Sequence, residues 1–334
     1  VKKMKQTTLR RFISLGLLLV LIILFAILGG GLFFNADNFI EIVRDASVVG
    51  IVGVGVTMAI ITAGIDLSTG SVMALVAMTM ANIYAYTLWP IPVMIILGIL
   101  VGIAAGLCNG YIIGYLHVPE FIGTLATMGI FRSLTYIIAI TDDNGVIQSQ
   151  PMTVYGFASL GYAAGYFYLV TIAMIVFIIV GQIVLKFTRF GTNVYAVGAN
   201  KKAARLSGIK VEKTQLIVYG ISGFCCAVGG IFTAARLQSA TAAIGDGFEF
   251  DPIAAAVVGG VALSGGSGDV VGTLIGALFM ATLKNGVLKL NMNTAYQYVI
   301  KGVIIILVVM FDSAYKAHMD RLAKERGAKE GAEE

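Results

Sequence analysis

A succession of apolar runs, most of them near membrane-spanning length and separated by short polar stretches, restricts this chain more than any other feature. Residues 12–34 open the series, and further runs cover 46–64, 71–88, 91–116, 121–140, 166–185, 214–236, 253–266, 270–289 and 296–311. About 20 apolar residues in a helix cross the hydrocarbon core of a bilayer. Backbone N–H and C=O groups in lipid must be paired internally, so helices are the form such runs take. A water-soluble fold fails on charge, because only 12% of the 334 residues are Asp, Glu, Lys or Arg, against ~25% in an ordinary soluble domain. The expected fold is an all-α polytopic membrane protein of about ten transmembrane helices, some broken or short. The 41 glycines fit that fold, since small residues let helix backbones approach closely in lipid.

Sidedness comes from one segment, 186–213 (KFTRFGTNVYAVGANKKAARLSGIKVEK), the only long basic stretch between apolar runs. Lys186, Arg189, Lys201, Lys202, Arg205, Lys210 and Lys213 stand there against a single acid, Glu212. Lys and Arg near span ends resist translocation, so this loop belongs in the cytoplasm. Ten spans threaded from a cytoplasmic N-terminus (1–11) put the basic tail 312–334 on the same side. They put 141–165 and 237–252 outside, and neither of those contains Lys or Arg. Arg44 is the one exception among the outside loops. Run 12–34 is too long for a signal-peptide core and reads as an uncleaved first helix. No soluble domain is expected.

Two runs are interrupted alike. GIDLSTGS (64–71) and ALSGGSGD (262–269) each carry Leu-Ser followed by glycine between short apolar runs. Freed backbone groups at membrane depth are tolerated only inside protein or beside water. Broken helices in corresponding places of two halves point to a solute path near the midplane, and the alternative is a pair of tight cytoplasmic turns. Asp66 is either a pathway residue, as an ionisable group at membrane depth suggests, or a cap for the following helix together with Ser68. Arg132 needs water, a carboxylate or a helix C-terminus nearby. Lys284, Lys289 and Lys301 can snorkel to an interface. Asn109, Thr124 and Thr127 either hydrogen-bond a hydroxylated solute or join helices. Cys108, Cys225 and Cys226 read as small buried packing residues.

Several chemistries are excluded. No G-x-x-x-x-G-K-[ST] phosphate loop is present, so the chain does not hydrolyse ATP by that route. His117 and His318 are far apart, and no nucleophile–base or paired-carboxylate arrangement appears, so no metal site and no enzyme activity are expected. The net charge of +5 sits at span ends and does not point to nucleic acid.

Five motifs in order now support a resemblance. Gly64–Ser71 resembles the GIDLSVGS signature of ATP-binding-cassette permeases for ribose-, xylose- and galactoside-type sugars. Val118–Leu125 is similar to their VPPFIVTL, and TRFGTNVYAVGANKKAARLSGI to their TRFGRNVYAIGGNxxAARLSGI. Phe250–Gly260 resembles LDAIAAVVLGG, and Tyr296–Gly302 a YYQxIIKG pattern. The resemblance implies one transmembrane permease domain over 1–334 in a bacterial cytoplasmic (inner) membrane. It implies a second permease subunit, a cytoplasmic ATPase that holds the ATP and magnesium, and an extracytoplasmic sugar-binding protein. No cofactor is expected on this chain. Gly198, Asn200, Ala203, Ala204, Arg205 and Gly208 would engage the ATPase. Asp66, Ser68, Asn109, Phe121, Thr124 and Thr127 would line the path of a monosaccharide. Lys202 and Glu120 depart from the family pattern. The competing readings are a permease for another small solute such as branched-chain amino acids, an ion-coupled secondary carrier using Asp66 and Arg132, and a structural scaffold.

Overall fold

The computed structural model describes residues 2–310 except 88, 142–146, 154, 162, 165–166, 294, 305 and 308–309. The basic tail 312–334 and parts of 141–165 and 296–311 therefore lie outside the described residues. In chain order the elements are α1 (Lys2–Phe33), α2 (Ala36–Ile61), α3 (Thr69–Thr87), α4 (Ile91–Gly114), α5 (Glu120–Ile137), β1 (Gln150–Pro151) and α6 (Tyr155–Ala158). They continue with β2 (Ala163–Ala164), β3 (Phe167–Tyr168), α7 (Leu169–Phe187), α8 (Arg189–Ala199), α9 (Lys201–Leu206), α10 (Val211–Leu237), β4 (Ser239–Ala240), α11 (Phe250–Val258) and α12 (Val270–Lys289). Residues 295–304 are also helical. The strands are two-residue pairings, β1 with β4 and β2 with β3, both antiparallel. Among the described residues, five helices are long and apolar enough to cross a membrane: Arg11–Phe33, Ile91–Gly114, Leu169–Phe187, Val211–Leu237 and Val270–Lys289.

The bundle is built on α10, which packs along α4, α2 and α3, while α12 packs against α11, α2 and α1. The α4–α10 contact is backbone on backbone. Gly102, Gly106, Gly110 and Gly114 fall one turn apart on α4 and meet Gly223, Tyr219, Leu216 and Glu212 of α10. A Cβ at Gly106 would stand 2.2 Å from the Tyr219 carbonyl oxygen, and one at Gly223 2.1 Å from that of Gly102. Gly55 brings α2 equally close to Ser222. Without a hydrophobic drive between helices in lipid, such contact supplies the dispersion energy that holds them together. α1 lies at the periphery, with exposed Leu19, Val20, Ile23, Ile27 and Leu28, and docks on α12 by seating Phe25 over Gly286.

Four details depart from the sequence reading. The run 253–266 is helical only to Val258, after which 259–269 is turns and extended chain. The stretch 237–252 is no simple outer loop, because its turns at 242–249 fold inward until Gly245 meets Gly70 at the start of α3. Cys108 is exposed on α4 while Cys225 and Cys226 are buried, so the packing role assigned to all three holds for two. The three lysines expected to snorkel have acidic partners that the sequence reading did not foresee, Lys284 with Asp45, Lys289 with Glu41 and Lys301 with Asp251.

Gly106→Val should lower stability by about 1–3 kcal/mol, the usual cost of overpacking a close contact. Gly16→Ala, at a position with nothing within 4 Å of a new Cβ, should be neutral or slightly stabilising. Reversible unfolding of the two variants in mixed micelles makes the comparison.

Candidate functional site

The first interruption begins where α2 ends. The Thr62 N–H bonds the Met58 and Ala59 carbonyls and its hydroxyl donates to Ala59, while Ala63 turns left-handed at φ 64°. The chain then runs extended to Ser68, and α3 starts at Thr69. Ser222 Oγ donates to Asp66 Oδ2 at 2.6 Å. Ser222 is the twelfth of the 27 residues of α10, so it lies roughly 16 Å along that helix at 1.5 Å per residue. The interruption is therefore at mid-depth in the bundle, and the surface-turn alternative does not hold for it.

Asp66 is 2% exposed. Its Oδ1 accepts from the Ser68 N–H (3.0 Å) and the Ser68 hydroxyl (2.7 Å), and Ser68 Oγ accepts in turn from Asn109 Nδ2 (2.7 Å). A buried carboxylate without such donors would be very costly. Bonding two residues ahead makes an Asx turn, and the carboxylate sits just before α3, where the helix dipole favours negative charge. Its partners are Ser68, which precedes α3, and Ser222 of α10, so Asp66 ties the turn to α10 and does not cap the first N–H groups of α3. Thr124 Oγ1 donates to the Ile65 carbonyl (2.9 Å), and Thr127 Oγ1 to the Thr124 carbonyl (3.2 Å). Four of the six proposed path residues, Asp66, Ser68, Asn109 and Thr124, therefore converge on 64–71, and Thr127 lies one turn further along α5. Phe121 stands apart, 53% exposed on α5. Asn109 Oδ1, Thr69 Oγ1 and Tyr219 Oη, all buried around this segment, have no hydrogen-bond partner.

Arg132 finds its partners in the inward turn. Its Nη1 donates to the carbonyls of Ala242 (2.6 Å) and Ile244 (2.8 Å). That clamp holds Gly245 against Gly70 and brings Glu249 Oε2 within 3.0 Å of where a Gly70 Cβ would stand.

The second interruption needs glycine three times over, at Gly265 (φ 80°), Gly266 (φ 71°) and Gly268 (φ 136°), conformations that a Cβ opposes. The Gly266 N–H donates to the Ile61 carbonyl, the last of α2, at 2.8 Å. Gly198 of α8 closes on the same point, where a Cβ would lie 1.6 Å from Ile61 O and 2.7 Å from Gly266 N. Three backbone segments, from both interruptions and the basic segment, thus meet with no side chain between them. Tyr195 Oη donates to the Gly268 carbonyl at 2.7 Å. Burial, and then the Asp269 carboxylate, push the Tyr195 hydroxyl up to about 12, with Arg11 opposing, so it keeps the proton it donates. Asp269 caps α12 through the Gly272 N–H (2.8 Å) and pairs with Arg11 (2.8 Å).

The six proposed coupling residues lie together on α8, α9 and the turn after them. Asn200 Oδ1 caps α9 by accepting from Ala203 N (3.0 Å). Ala204 is buried, Ala203 is exposed, and Arg205 pairs with Glu212. Gly208 has φ 81° with open space around it. Leu206, at the end of α9, is 90% exposed. Glu120, set aside in the sequence because it departs from a motif, accepts from Lys201 and from Gln215 Nε2 (3.1 Å), tying α5 to α9 and α10. Ser222 and Tyr219 were missed because a single serine or tyrosine in an apolar run carries no signal of its own.

Apolar helices broken at mid-depth, with a basic segment seated on the breaks, form the body of a membrane transport permease. The chain belongs to the family described as branched-chain amino acid transport system / permease component, which matches residues 38–309. It is 39% identical over 298 residues to the ribose import permease protein of Bacillus subtilis (strain 168), covering 88% of this chain and 90% of that one. Against the ribose import permease protein of Escherichia coli (strain K12) it is 38% identical over 303 residues, covering 90% and 92%. The xylose transport system permease protein of the same strain is 32% identical over 371 residues, covering 94% of each. No solved structure matches the chain.

Ser222→Ala removes one of the three hydrogen bonds to Asp66 and should cost about 1–3 kcal/mol. Asp66→Ala strands three donors and should cost more. Folded yield and unfolding midpoint in detergent check that order.

Proposed function

We propose that this chain is the permease subunit of an ATP-binding-cassette importer that moves a monosaccharide of ribose or xylose type into the cytoplasm. In this reading residues 1–334 form a single domain of ten spans in a bacterial inner membrane, with both termini cytoplasmic. Two permease subunits pair, a partner subunit hydrolyses ATP below, and a sugar-binding protein delivers solute from the other side. One observation carries the reading. The segment 186–213 seats Gly198 against both helix interruptions while its far side exposes Leu206 among Lys202, Arg205 and Lys210. One face is built for the bundle, and an exposed leucine within a basic rim suits a protein partner.

The physics of coupling follows from that placement. Closure of the ATPase pair shifts α8 and α9, and Gly198 passes the shift directly to Ile61 and Gly266. Coupling also requires that the partner bind the two states of the permease unequally. A neutral sugar needs no fixed charge on its route, and Asn109 Oδ1, Thr69 Oγ1 and Tyr219 Oη offer uncharged hydrogen-bonding atoms at mid-depth. An ion-coupled carrier is less favoured, because Asp66 and Arg132 are committed to protein partners. Relatives named for ribose and xylose favour a pentose over a galactoside or an amino acid.

Proteoliposomes holding permease, ATPase and binding protein should take up labelled ribose or xylose only with ATP, and excess leucine should not compete. Uptake by the permease alone under an ion gradient would overturn the reading. Gly198→Ala should leave the ATPase bound and hydrolysing while uptake falls at least about tenfold, as misplacement of a closely fitted part does.

A further inference from the structure

At the helix ends remote from the basic segment, α2, α10, α12, the 242–249 turn and the helical residues 295–304 enclose a cavity of about 430 Å³. That size lies within the range of small-molecule sites, roughly 300–1,000 Å³. Asp45 lies early in α2, Arg236 at the end of α10 and Lys284 late in α12, whereas α8 and α9 sit at the opposite ends of these helices. The path residues around Asp66 do not line the cavity, so the site proposed below is separate from theirs.

The lining has the chemistry of a sugar site. Asp45 pairs with Arg236 and faces Lys284 at 3.7 Å, and Asp251 pairs with Lys301 at 2.5 Å. With Asp246 the cavity holds three carboxylates and three cations. The formal charges of the lining balance, which favours neither an anion nor a cation overall, and they place strong acceptors and donors along the walls. Gln297 is 8% exposed and also lines the cavity, and its Nε2 has no hydrogen-bond partner. A buried amide donor left unpaired is costly, and an oxygen of a bound solute would relieve that cost. Tyr298 adds an aromatic ring beside Gly247, where an added Cβ would stand 3.2 Å from the ring edge, and the Lys301 ammonium lies 5.4 Å from its centroid. Carboxylate and amide groups suit sugar hydroxyls, and an aromatic face suits the C–H side of a sugar ring.

We propose that this cavity is a vestibule that binds a neutral monosaccharide within a single chain, before the solute reaches the mid-depth segment. The proposal rests on the sugar-importer reading, and its test separates the two. The full chain carrying Thr233→Cys, a cavity-lining position, is placed in phospholipid nanodiscs with Cys108→Ser as background, since Cys225 and Cys226 are buried. The rate of modification by a membrane-impermeant methanethiosulfonate is followed with ribose, xylose, sorbitol or leucine. Ribose or xylose should slow the reaction while sorbitol does not. Gln297→Leu should raise the half-protecting concentration about tenfold, as loss of a buried hydrogen bond does. Tyr298→Ala, at an exposed ring, serves the same purpose if Gln297→Leu does not insert. No slowing by either pentose, equal slowing by sorbitol, or stronger slowing by leucine each overturns the vestibule. ATP-driven pentose uptake by an importer whose Thr233→Cys reaction ignores pentose would sink the vestibule alone. Absence of pentose uptake would sink the sugar reading.

Discussion

An unpaired backbone amide or carbonyl inside a bilayer has no water to turn to, and this chain interrupts its helices where that problem is most severe. The segment at 64–68 lies at mid-depth and is made tolerable by donors brought from three other places. Asp66 gathers Ser68 and Ser222, Asn109 reaches Ser68, and Thr124 takes the Ile65 carbonyl. The Ile61 carbonyl at the end of α2 is taken by Gly266 from the second interruption. Each break is satisfied in part by distant sequence, which is why the breaks, the basic segment and α10 form one unit.

Glycine is what permits that closeness. At Gly198 and along the α4–α10 contact, backbones touch where any side chain would collide. Polar bonds hold the interruptions and dispersion holds the helices. Charge is kept to two rims. At one, Arg11–Asp269, Lys201–Glu120 and Arg205–Glu212 surround α8 and α9; at the other, Arg236–Asp45 and Lys301–Asp251 line the cavity. Between the rims the described ionisable side chains are few, and both Asp66 and Arg132 are held by protein partners.

Much of this was legible in the residues. Apolar run length located the helices, and the Leu-Ser-Gly pattern marked both interruptions. The path candidates Asp66, Ser68, Asn109 and Thr124 do assemble around one segment, with Thr127 a turn further along α5. Depth was not legible: nothing in GIDLSTGS says whether it lies at a surface or beside the middle of α10, because that depends on Ser222, 156 residues away. The inward course of 242–249 was hidden for the same reason, since Arg132 holds it from α5. Phe121 was chosen from its motif, yet its ring faces outward. A signal that was present and unread is the repeat of glycine at 98, 102, 106, 110 and 114, a spacing that announces close helix contact and would have identified α4 as the partner of a second small-residue helix.

The meeting of Gly198, Ile61 and Gly266 also bears on how tightly such a machine can be sealed. If one interruption moved while the other stayed, the bond between Gly266 and Ile61 would open and leave an amide and a carbonyl bare in a medium of low dielectric. That penalty, about 1–3 kcal/mol for one buried bond, disfavours half-moved conformations and would couple the two breaks. In the importer proposed above, such coupling would limit the time in which a continuous passage exists, and with it the leak of protons across the membrane.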